Sequence, residues 1–176
     1  WSYSSGTTNI LCRLLANTLG VDQAGFETFL RGHLLDPIGM KSAIPKFDAA
    51  GTFIGSSFCF CTARDFARFG QFILEGAKIN GERVVPDDWL ERATTKRIGY
   101  GEPGLGYGYQ WWTYDTGAFA ADGIFGQGIY IDPSRKLVIA TNSNWRTALG
   151  DVDREHAKRE ELYQIVAAAI DAEAAH

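Results

Sequence analysis

The spacing of the apolar residues changes near residue 99, and this change constrains the fold more than any other feature of the sequence. Before it, apolar side chains recur three or four residues apart and predict helices over about 7–19, 24–35 and 63–75. After it, two runs rich in β-branched residues, Ile129–Ile131 and Leu137–Thr141, predict a β-hairpin. Helices followed by a small antiparallel sheet and a last helix are typical of an α/β (α+β) protein.

Turn and capping residues mark the ends of these elements. Gly20 stands at the C-cap of the first helix, and Pro37 stops the second. Thr62, with an acidic residue three positions later, resembles a capping box for the third helix. Asn80-Gly81 predicts a tight turn, and Pro86 predicts the start of a short fourth helix.

The second half of the sequence predicts one more strand and a terminal helix. Tyr109–Tyr114 has the composition of a strand, and the Ala- and Glu-rich sequence after Gly150 is helical. One stripe of that helix is apolar: Leu162, Ile165, Val166, Ala169 and Ile170. We therefore expect two parts of one incomplete domain, a helical portion over 1–98 and an antiparallel sheet portion with a C-terminal helix over 99–176.

Composition and charge exclude several classes of protein. With 176 residues, 45% of them hydrophobic and 22% charged, the chain can bury a substantial core. The net charge of -4 argues against a nucleic-acid partner, which would require a broad basic surface. No apolar run approaches the roughly 20 residues of a membrane-spanning helix, so no membrane-spanning segment is expected.

The cysteines and histidines fit neither a disulfide framework nor a zinc site. There is no C-x-x-C, and these residues are scattered along the chain: Cys12, Cys59, Cys61, His33, His156 and His176. We expect free thiols and isolated imidazoles, and neither a metal nor an organic cofactor is implied.

Three local patterns have simpler structural explanations, and one catalytic motif is absent. Gly99–Gly104 satisfies G-x-G-x-x-G, but no helix follows it, which favours a surface loop. The aromatic residues between Tyr100 and Tyr114 could stack on sugars, although their alternation predicts that half are core. Asp87-Asp88 and Glu160-Glu161 are typical of helix starts and solvated faces. The absence of G-x-S-x-G excludes the α/β-hydrolase elbow.

The first residues form a short polar turn that leads directly into the first helix. Tyr3 and Ser5 alternate, so in an extended segment their hydroxyl groups can face one cavity near the helix N–H groups. Taken alone, this Ser-rich turn is most simply a helix cap.

Later motifs give the turn another meaning. Tyr3–Gly6 is followed in order by five further motifs that cover nearly the whole chain: Asp36–Met40, Thr62–Gly70, Asn80–Pro86, Gly106–Trp112, and Gly123–Gln127 with Ile131–Pro133. In this combination the sequence resembles the serine β-lactamase and penicillin-binding superfamily. The likeness is strongest to the class C-like esterases and 6-aminohexanoate-dimer hydrolases.

The resemblance implies roles for residues at both ends of the chain. Tyr3 would relay a proton between nucleophile and leaving group, with its pKa, ordinarily about 10, lowered by a nearby lysine. Ser5 would hydrogen-bond that lysine or the substrate. The third family motif, Lys or His, then Thr or Ser, then Gly on an edge strand, falls on Ala121–Gly123. Because Ala121 replaces the cationic residue, efficient hydrolysis of β-lactams is in doubt.

The segment after that strand supplies the rest of the implied site. Gly123 would let a substrate lie against the strand, and the Ile124 N–H would be one donor of the oxyanion hole. Asp122 and Trp111 are further candidates for substrate binding. Gln127 either reaches the pocket or satisfies the ends of the strands.

The family nucleophile, the serine of Ser-x-x-Lys, is absent from the sequence, because none of the six lysines has a serine three residues earlier. The resemblance therefore implies the C-terminal half of a serine hydrolase that cleaves an ester or amide through an acyl-enzyme. We expect these 176 residues alone to be inactive, and the N-terminal half of the same protein to be the missing partner.

Two further expectations follow from the resemblance. If the missing strands pair beside Leu137–Thr141, that strand is an open edge and copies of the chain can associate through it. The alternative function is a catalytically silent module that binds peptides or glycans in the same pocket. The sequence does not indicate a cellular compartment.

Overall fold

The computed structural model describes residues 1–101 and 103–175 and divides into two compact units, residues 1–65 and residue 66 onward. Glu102, within the Gly99–Gly104 loop, and His176 lie outside the described residues. The α+β class is confirmed. The division falls before Phe66 rather than near residue 98, because most of the third helix, a small hairpin and the fourth helix cluster with the sheet.

The first unit is mainly helical. Its elements are α1 (Ser5–Leu19), α2 (Gln23–Leu30) with a π-helical turn (Arg31–Leu35), β1 (Ile44–Pro45) and β2 (Cys59–Phe60). The two predicted helices are confirmed, and Gly20 caps the first in the left-handed conformation with φ 67°. The core of this unit forms around Phe26, whose ring lies 5.9–6.3 Å from those of Phe29, Phe47 and Phe53.

The apolar stripe of α1 does not lie in that core. Ala16 is buried, whereas the larger apolar residues of the helix are 38–63% exposed: Ile10, Leu11, Leu14, Leu15 and Leu19. The helical spacing was therefore predicted correctly, but the described residues do not cover the face that it creates.

The third helix, α3 (Ala63–Leu74), begins at a modified capping box. Thr62 Oγ1 accepts the N–H of Asp65, as the sequence predicts. The Asp65 carboxylate, however, accepts the N–H of Ser42 at 2.8 Å, and the Thr62 N–H donates to Ser42 Oγ at 3.0 Å. A serine from a preceding loop therefore completes the box.

The second unit alternates short strands with helices. After α3 come β3 (Lys78–Ile79), β4 (Glu82–Arg83), α4 (Trp89–Thr94), β5 (Ile98–Gly99), β6 (Leu105–Tyr107), β7 (Trp112–Tyr114), β8 (Phe119–Asp122), β9 (Gly128–Asp132), β10 (Leu137–Thr141) and α5 (Glu155–Ala174). Asn80 and Gly81 form the predicted turn between β3 and β4. The fourth helix begins at Trp89 rather than near Pro86, whose carbonyl accepts the Trp89 N–H in a preceding turn.

The main sheet is antiparallel, in the order β10-β9-β8-β7-β6-β5. The predicted hairpin is confirmed, with Leu137 opposite Asp132 and Thr141 opposite Gly128. β10 and β5 are the two outer strands of this sheet, and the segment Leu137–Thr141, expected to be an open edge, is β10. β7 begins at Trp112 rather than at Tyr109, because Gln110 has a φ of 66° that interrupts an extended chain.

The two faces of the sheet pack against different helices. On one face α3 approaches so closely that a Cβ on Gly70 would lie 2.5 Å from Val138 Cγ1. On the other face Tyr163 of α5 stacks on Tyr130 at 4.5 Å and joins Ala118 and Ala120 in a buried cluster. The sheet of this unit is therefore enclosed between α3 and α5.

The buried face of α5 differs from the predicted stripe. Arg159 and Tyr163 are buried, whereas Leu162 and Ile165 are 43% and 66% exposed. The stacking of Tyr163 on the sheet fixes the rotation of the helix and turns those two residues outward. No helix within residues 1–101 and 103–175 is both long and apolar enough to cross a bilayer.

Candidate active site

Tyr3 and Ser5 flank the N-cap of α1 in the first unit. Ser4 is the cap: its backbone is extended, with φ -152° and ψ 129°, and its Oγ accepts the Gly6 N–H at 3.2 Å. Ser5 is the first helical residue, and the Tyr3 side chain is 55% exposed. The cap interpretation is therefore confirmed for Ser4, and the two implied site residues lie at the positive end of the helix dipole.

The remaining implied residues lie in the second unit, most of them where β8 turns into β9. β8 pairs with β9 from Phe119 to Asp122, but with β7 only at Phe119 and Ala120. The family pattern expects an edge strand here. β8 is interior at its beginning and becomes an edge only at Ala121 and Asp122, immediately before Gly123.

The turn from Gly123 to Gln127 is held at several points. The Gly123 N–H donates to the Gln127 carbonyl at 2.9 Å, and the Phe125 N–H donates to the Ala148 carbonyl at 3.0 Å. Phe125 has φ 58° and ψ 23°, a left-handed conformation that costs a non-glycine residue about 1–2 kcal/mol. The surrounding hydrogen bonds maintain this strained backbone, a feature that clusters at functional sites.

The Ile124 amide is suited to be a hydrogen-bond donor for a substrate. Within residues 1–101 and 103–175 its N–H makes no hydrogen bond, and the Ile124 side chain is 50% exposed. Gly123 is exposed, and a Cβ there would lie 3.0 Å from the Gln127 Cβ. A larger residue at this position would therefore crowd the Gln127 side chain.

The Gln127 side chain links the turn to the Ser143 backbone. Its Nε2 donates to the Ser143 carbonyl at 3.0 Å, and its Oε1 accepts the Ser143 N–H at 3.3 Å. These bonds connect the start of β9 with the segment after β10. Of the two roles left open by the sequence, the contacts correspond to satisfying the ends of the strands.

The Asp122 side chain points toward α5. Its Oδ2 accepts from Arg159 Nη2 at 2.7 Å, while Oδ1 is buried without a partner among the described residues. Burial raises the pKa of Asp122, and the Arg159 guanidinium opposes that shift. Because alternate residues face opposite sides of a strand, Asp122 shares its side with the buried Ala120 and not with Ala121. The contacts of this carboxylate are with the protein.

Arg159 is the important residue that the sequence analysis missed. It is 6% exposed and also lies 5.1 Å above the ring of Trp145. The available signal is its spacing of four residues from Tyr163 on one helix face, but the predicted apolar stripe contains neither residue.

Three side chains near Arg159 have the composition of a metal site. The ligand atoms of Asp122, His156 and Glu160 lie within 4.8 Å of one another, so His156 is not isolated as the sequence analysis expects. Arg159 Nη2 lies 2.7 Å from Asp122 and 3.5 Å from Glu160, and the Tyr114 hydroxyl donates to Glu160 at 3.0 Å. The guanidinium is already the counter-ion of both carboxylates, which disfavours a metal cation at the same place.

Trp111 belongs to the core between α3 and the sheet. It is 8% exposed, stacks with Phe69 at 6.4 Å and meets Phe119 edge-on at 5.1 Å. Of the aromatic stretch, Tyr107 is buried as well, whereas Tyr109 is 39% exposed. The predicted division of these aromatics into core and surface is confirmed, and the contacts of Trp111 are those of a packing residue.

The cysteines are free thiols. Cys59 and Cys61 are half-buried on either side of the exposed Phe60, which places them on one face of an extended segment as expected. Burial raises the pKa of Cys12 and of Cys59, so neither is activated as a thiolate.

Comparisons with known proteins agree with these motifs. The family profile described as Beta-lactamase matches residues 1–164. A curated relative, the 6-aminohexanoate-dimer hydrolase of Paenarthrobacter ureafaciens, is 28% identical, with 82% of this chain and 39% of that protein covered. A solved structure from Bacillus anthracis, provisionally named 6-aminohexanoate-dimer hydrolase, is 28% identical with a TM-score of 0.79, covering 97% of this chain and 44% of that one. This chain thus spans less than half the length of both relatives, and it belongs to the β-lactamase family of hydrolases.

Proposed function

We propose that the protein to which this chain contributes is a serine hydrolase that cleaves an ester or amide bond through an acyl-enzyme. The observation that carries the proposal is the Ile124 N–H, which has no partner among the described residues and belongs to a half-exposed residue in a strained, firmly held turn. A donor fixed before the reaction stabilises a developing oxyanion without reorganisation. The family membership supports the same chemistry.

The Tyr3 phenol supplies proton transfer in this proposal. It moves a proton between the nucleophile and the leaving group, while Ser5 hydrogen-bonds the catalytic lysine or the substrate. Gly123 admits the substrate beside β8, and Gln127 and Asp122 keep the turn in shape. Trp111 supports the acyl pocket from the core side.

The substrate class follows from one departure and from the relatives. Ala121 stands where the family has a cationic residue, so the site lacks the usual clamp for a β-lactam carboxylate. Both relatives carry the name of an amide-oligomer hydrolase. We therefore propose esters or short amide oligomers, with apolar acyl groups, rather than β-lactams.

The nucleophile comes from outside these 176 residues in this proposal. We infer a preceding half of the same protein that carries Ser-x-x-Lys and pairs its strands with β10, the open edge of the sheet. The exposed leucines of α1 are a second surface for it to cover. Without that half, copies of the chain are proposed to associate through β10.

The test uses the longer protein with p-nitrophenyl butyrate as substrate and a fluorophosphonate probe for the nucleophile. Wild type should turn over the ester and become labelled. Tyr3→Phe should lower kcat at least about a hundredfold, the usual size of a general acid–base contribution. Tyr100→Phe, an exposed tyrosine of the second unit, is the matched control and should retain the wild-type rate.

Each outcome separates the hypotheses. Full turnover in Tyr3→Phe would remove that phenol from the mechanism. A protein that binds peptides or glycans but neither hydrolyses the ester nor reacts with the probe would be the silent binding module instead.

A further inference from the structure

We propose that Arg159 is a positioning residue that fixes the Ile124 N–H in its productive direction by holding both ends of the turn Gly123–Gln127. The inference rests on the proposed function, since it gives a role to a residue acting through that amide. Arg159 lies on α5, far along the chain from the turn, and no part of the motif pattern includes it.

One guanidinium reaches the residue before the turn and the last residue of the turn. Nη2 donates to Asp122 Oδ2 at 2.7 Å, and Nη1 donates to the Gln127 carbonyl at 3.3 Å. The same Gln127 carbonyl accepts the Gly123 N–H that closes the turn. The Arg159 side chain therefore contacts both the Asp122 carboxylate before the turn and the Gln127 carbonyl that accepts the Gly123 N–H.

The guanidinium also holds the side chain that fills the space behind the turn. It lies 5.1 Å above the Trp145 ring, and that ring sits where a Cβ on Gly126 would be, 2.4 Å from Trp145 Cε2. The Trp145 backbone N–H donates to the Phe125 carbonyl at 3.3 Å. The left-handed Phe125 and the adjacent Gly126 are thus confined by a residue that Arg159 keeps in place.

A buried arginine is suited to this work, and a lysine is not. The guanidinium presents several donors in a fixed plane, so it can hold two oxygens in different directions while its face rests on an aromatic ring. An ammonium group is a point charge that can keep the Asp122 ion pair but not all three contacts. The buried charge itself is balanced by Asp122 and, at 3.5 Å, by Glu160.

Arg159→Lys in the longer protein is the decisive variant. Loss of one oxyanion-hole donor lowers kcat by about 10²–10³, and a displaced donor keeps part of its effect, so we expect kcat to fall about tenfold to a hundredfold. KM for p-nitrophenyl butyrate should stay within about twofold. The inhibition constant of phenylboronic acid, which forms a tetrahedral adduct, should rise by the same factor as kcat falls.

Arg135→Lys is the matched control. Arg135 likewise pairs with a buried aspartate of the sheet, Asp132 at 2.7 Å, and with Asp171 of α5, but it lies at the other end of the β9–β10 hairpin. It should lose stability without changing kcat or the boronic acid constant. If Arg159→Lys does not fold, Trp145→Phe, which loosens the same turn, replaces it. Trp145→Phe should likewise lower kcat and raise the inhibition constant of phenylboronic acid.

The outcomes distinguish the two proposals. An unchanged kcat in folded Arg159→Lys, or a lowered kcat with an unchanged boronic acid constant, would overturn the role of Arg159 while the hydrolase function stands. If wild type neither turns over the ester nor reacts with the fluorophosphonate, the proposed function fails and this role fails with it.

Discussion

Gly126→Ala is the sharpest stability test of the turn after β8. Gly126 has φ 85°, so an alanine there adopts a left-handed conformation at a cost of about 1–2 kcal/mol. Its Cβ would also lie 2.4 Å from Trp145 Cε2 and 2.7 Å from Ser143 Cβ. Overpacking of this kind adds about 1–3 kcal/mol. The expected total is about 2–5 kcal/mol.

Whether the overpacking contributes to this loss of stability depends on whether the Trp145 ring can move away. Its ring is packed against the Arg159 guanidinium and lies 6.2 Å from the His156 ring, so it cannot swing away without breaking other contacts. For a chain of this length, a loss of 1 kcal/mol lowers the Tm by about 2–4 °C. Gly126→Ala should therefore lower the Tm, followed by circular dichroism, by about 4–20 °C.

Gly81→Ala separates the two contributions. Gly81 has nearly the same φ, 84°, but nothing lies within 4 Å of the position of its Cβ. It should show the conformational cost alone, about 1–2 kcal/mol and a Tm loss of about 2–8 °C. Equal losses for the two variants would mean that Trp145 yields freely and that the turn is not confined as described.

Two further changes test the packing of the sheet and its charges. Gly70→Ala should lower the free energy of unfolding by about 1–3 kcal/mol despite the helix preference for alanine, because its Cβ would lie 2.5 Å from Val138 Cγ1. In a Val138→Ala background the Gly70→Ala change should cost less. If urea unfolding shows that the losses of the two single variants simply add in the double variant, this contact is contradicted. Burial raises the pKa of Asp132, but hydrogen bonds from Ser134 and Arg135 lower it by more, so the pKa is below its usual value. Because its pKa is lower in the folded state, ionised Asp132 stabilises the fold at pH values above the unfolded pKa of about 4. This stabilisation is lost as the pH falls from there through the folded pKa. Asp132→Asn should therefore lose about 1–3 kcal/mol at pH 7 and show a shallower fall in stability below about pH 4; an unchanged slope would exclude Asp132 as a source of the acid sensitivity.

Elements with a strong local signal could be predicted from the sequence. The Gly20 cap, the Asn80-Gly81 turn and the β9–β10 hairpin each depend on a few adjacent residues, and the structure has them where the sequence places them. β6 was not predicted, because it has only three residues, although it pairs with its sequence neighbours β5 and β7. β8 was placed only through the family motif at Ala121–Gly123, because its four residues show no alternating pattern of their own. Such short strands are defined by the sheet rather than by their own composition.

The candidate site was predictable only in part for a similar reason. The order of motifs proposes Tyr3, Gly123 and Ile124 as site residues, but it gives no information about the contacts that hold them. Asp122 and Arg159 are 37 residues apart, and their ion pair depends on how α5 is rotated over the sheet. That rotation follows from the stacking of Tyr163 on Tyr130, a tertiary contact that periodicity along one helix cannot reveal.

The π-helical turn at the end of α2 has a consequence for chain length. Phe26 and Leu35 are both 3% exposed, although nine residues of regular α-helix would place them roughly half a turn apart. The wide turn at Arg31–Leu35, closed by the Asp36 N–H on the Arg31 carbonyl, absorbs one residue and keeps both side chains inside. Deletion of Gly32 would tighten this turn to a regular helix with both side chains still inward.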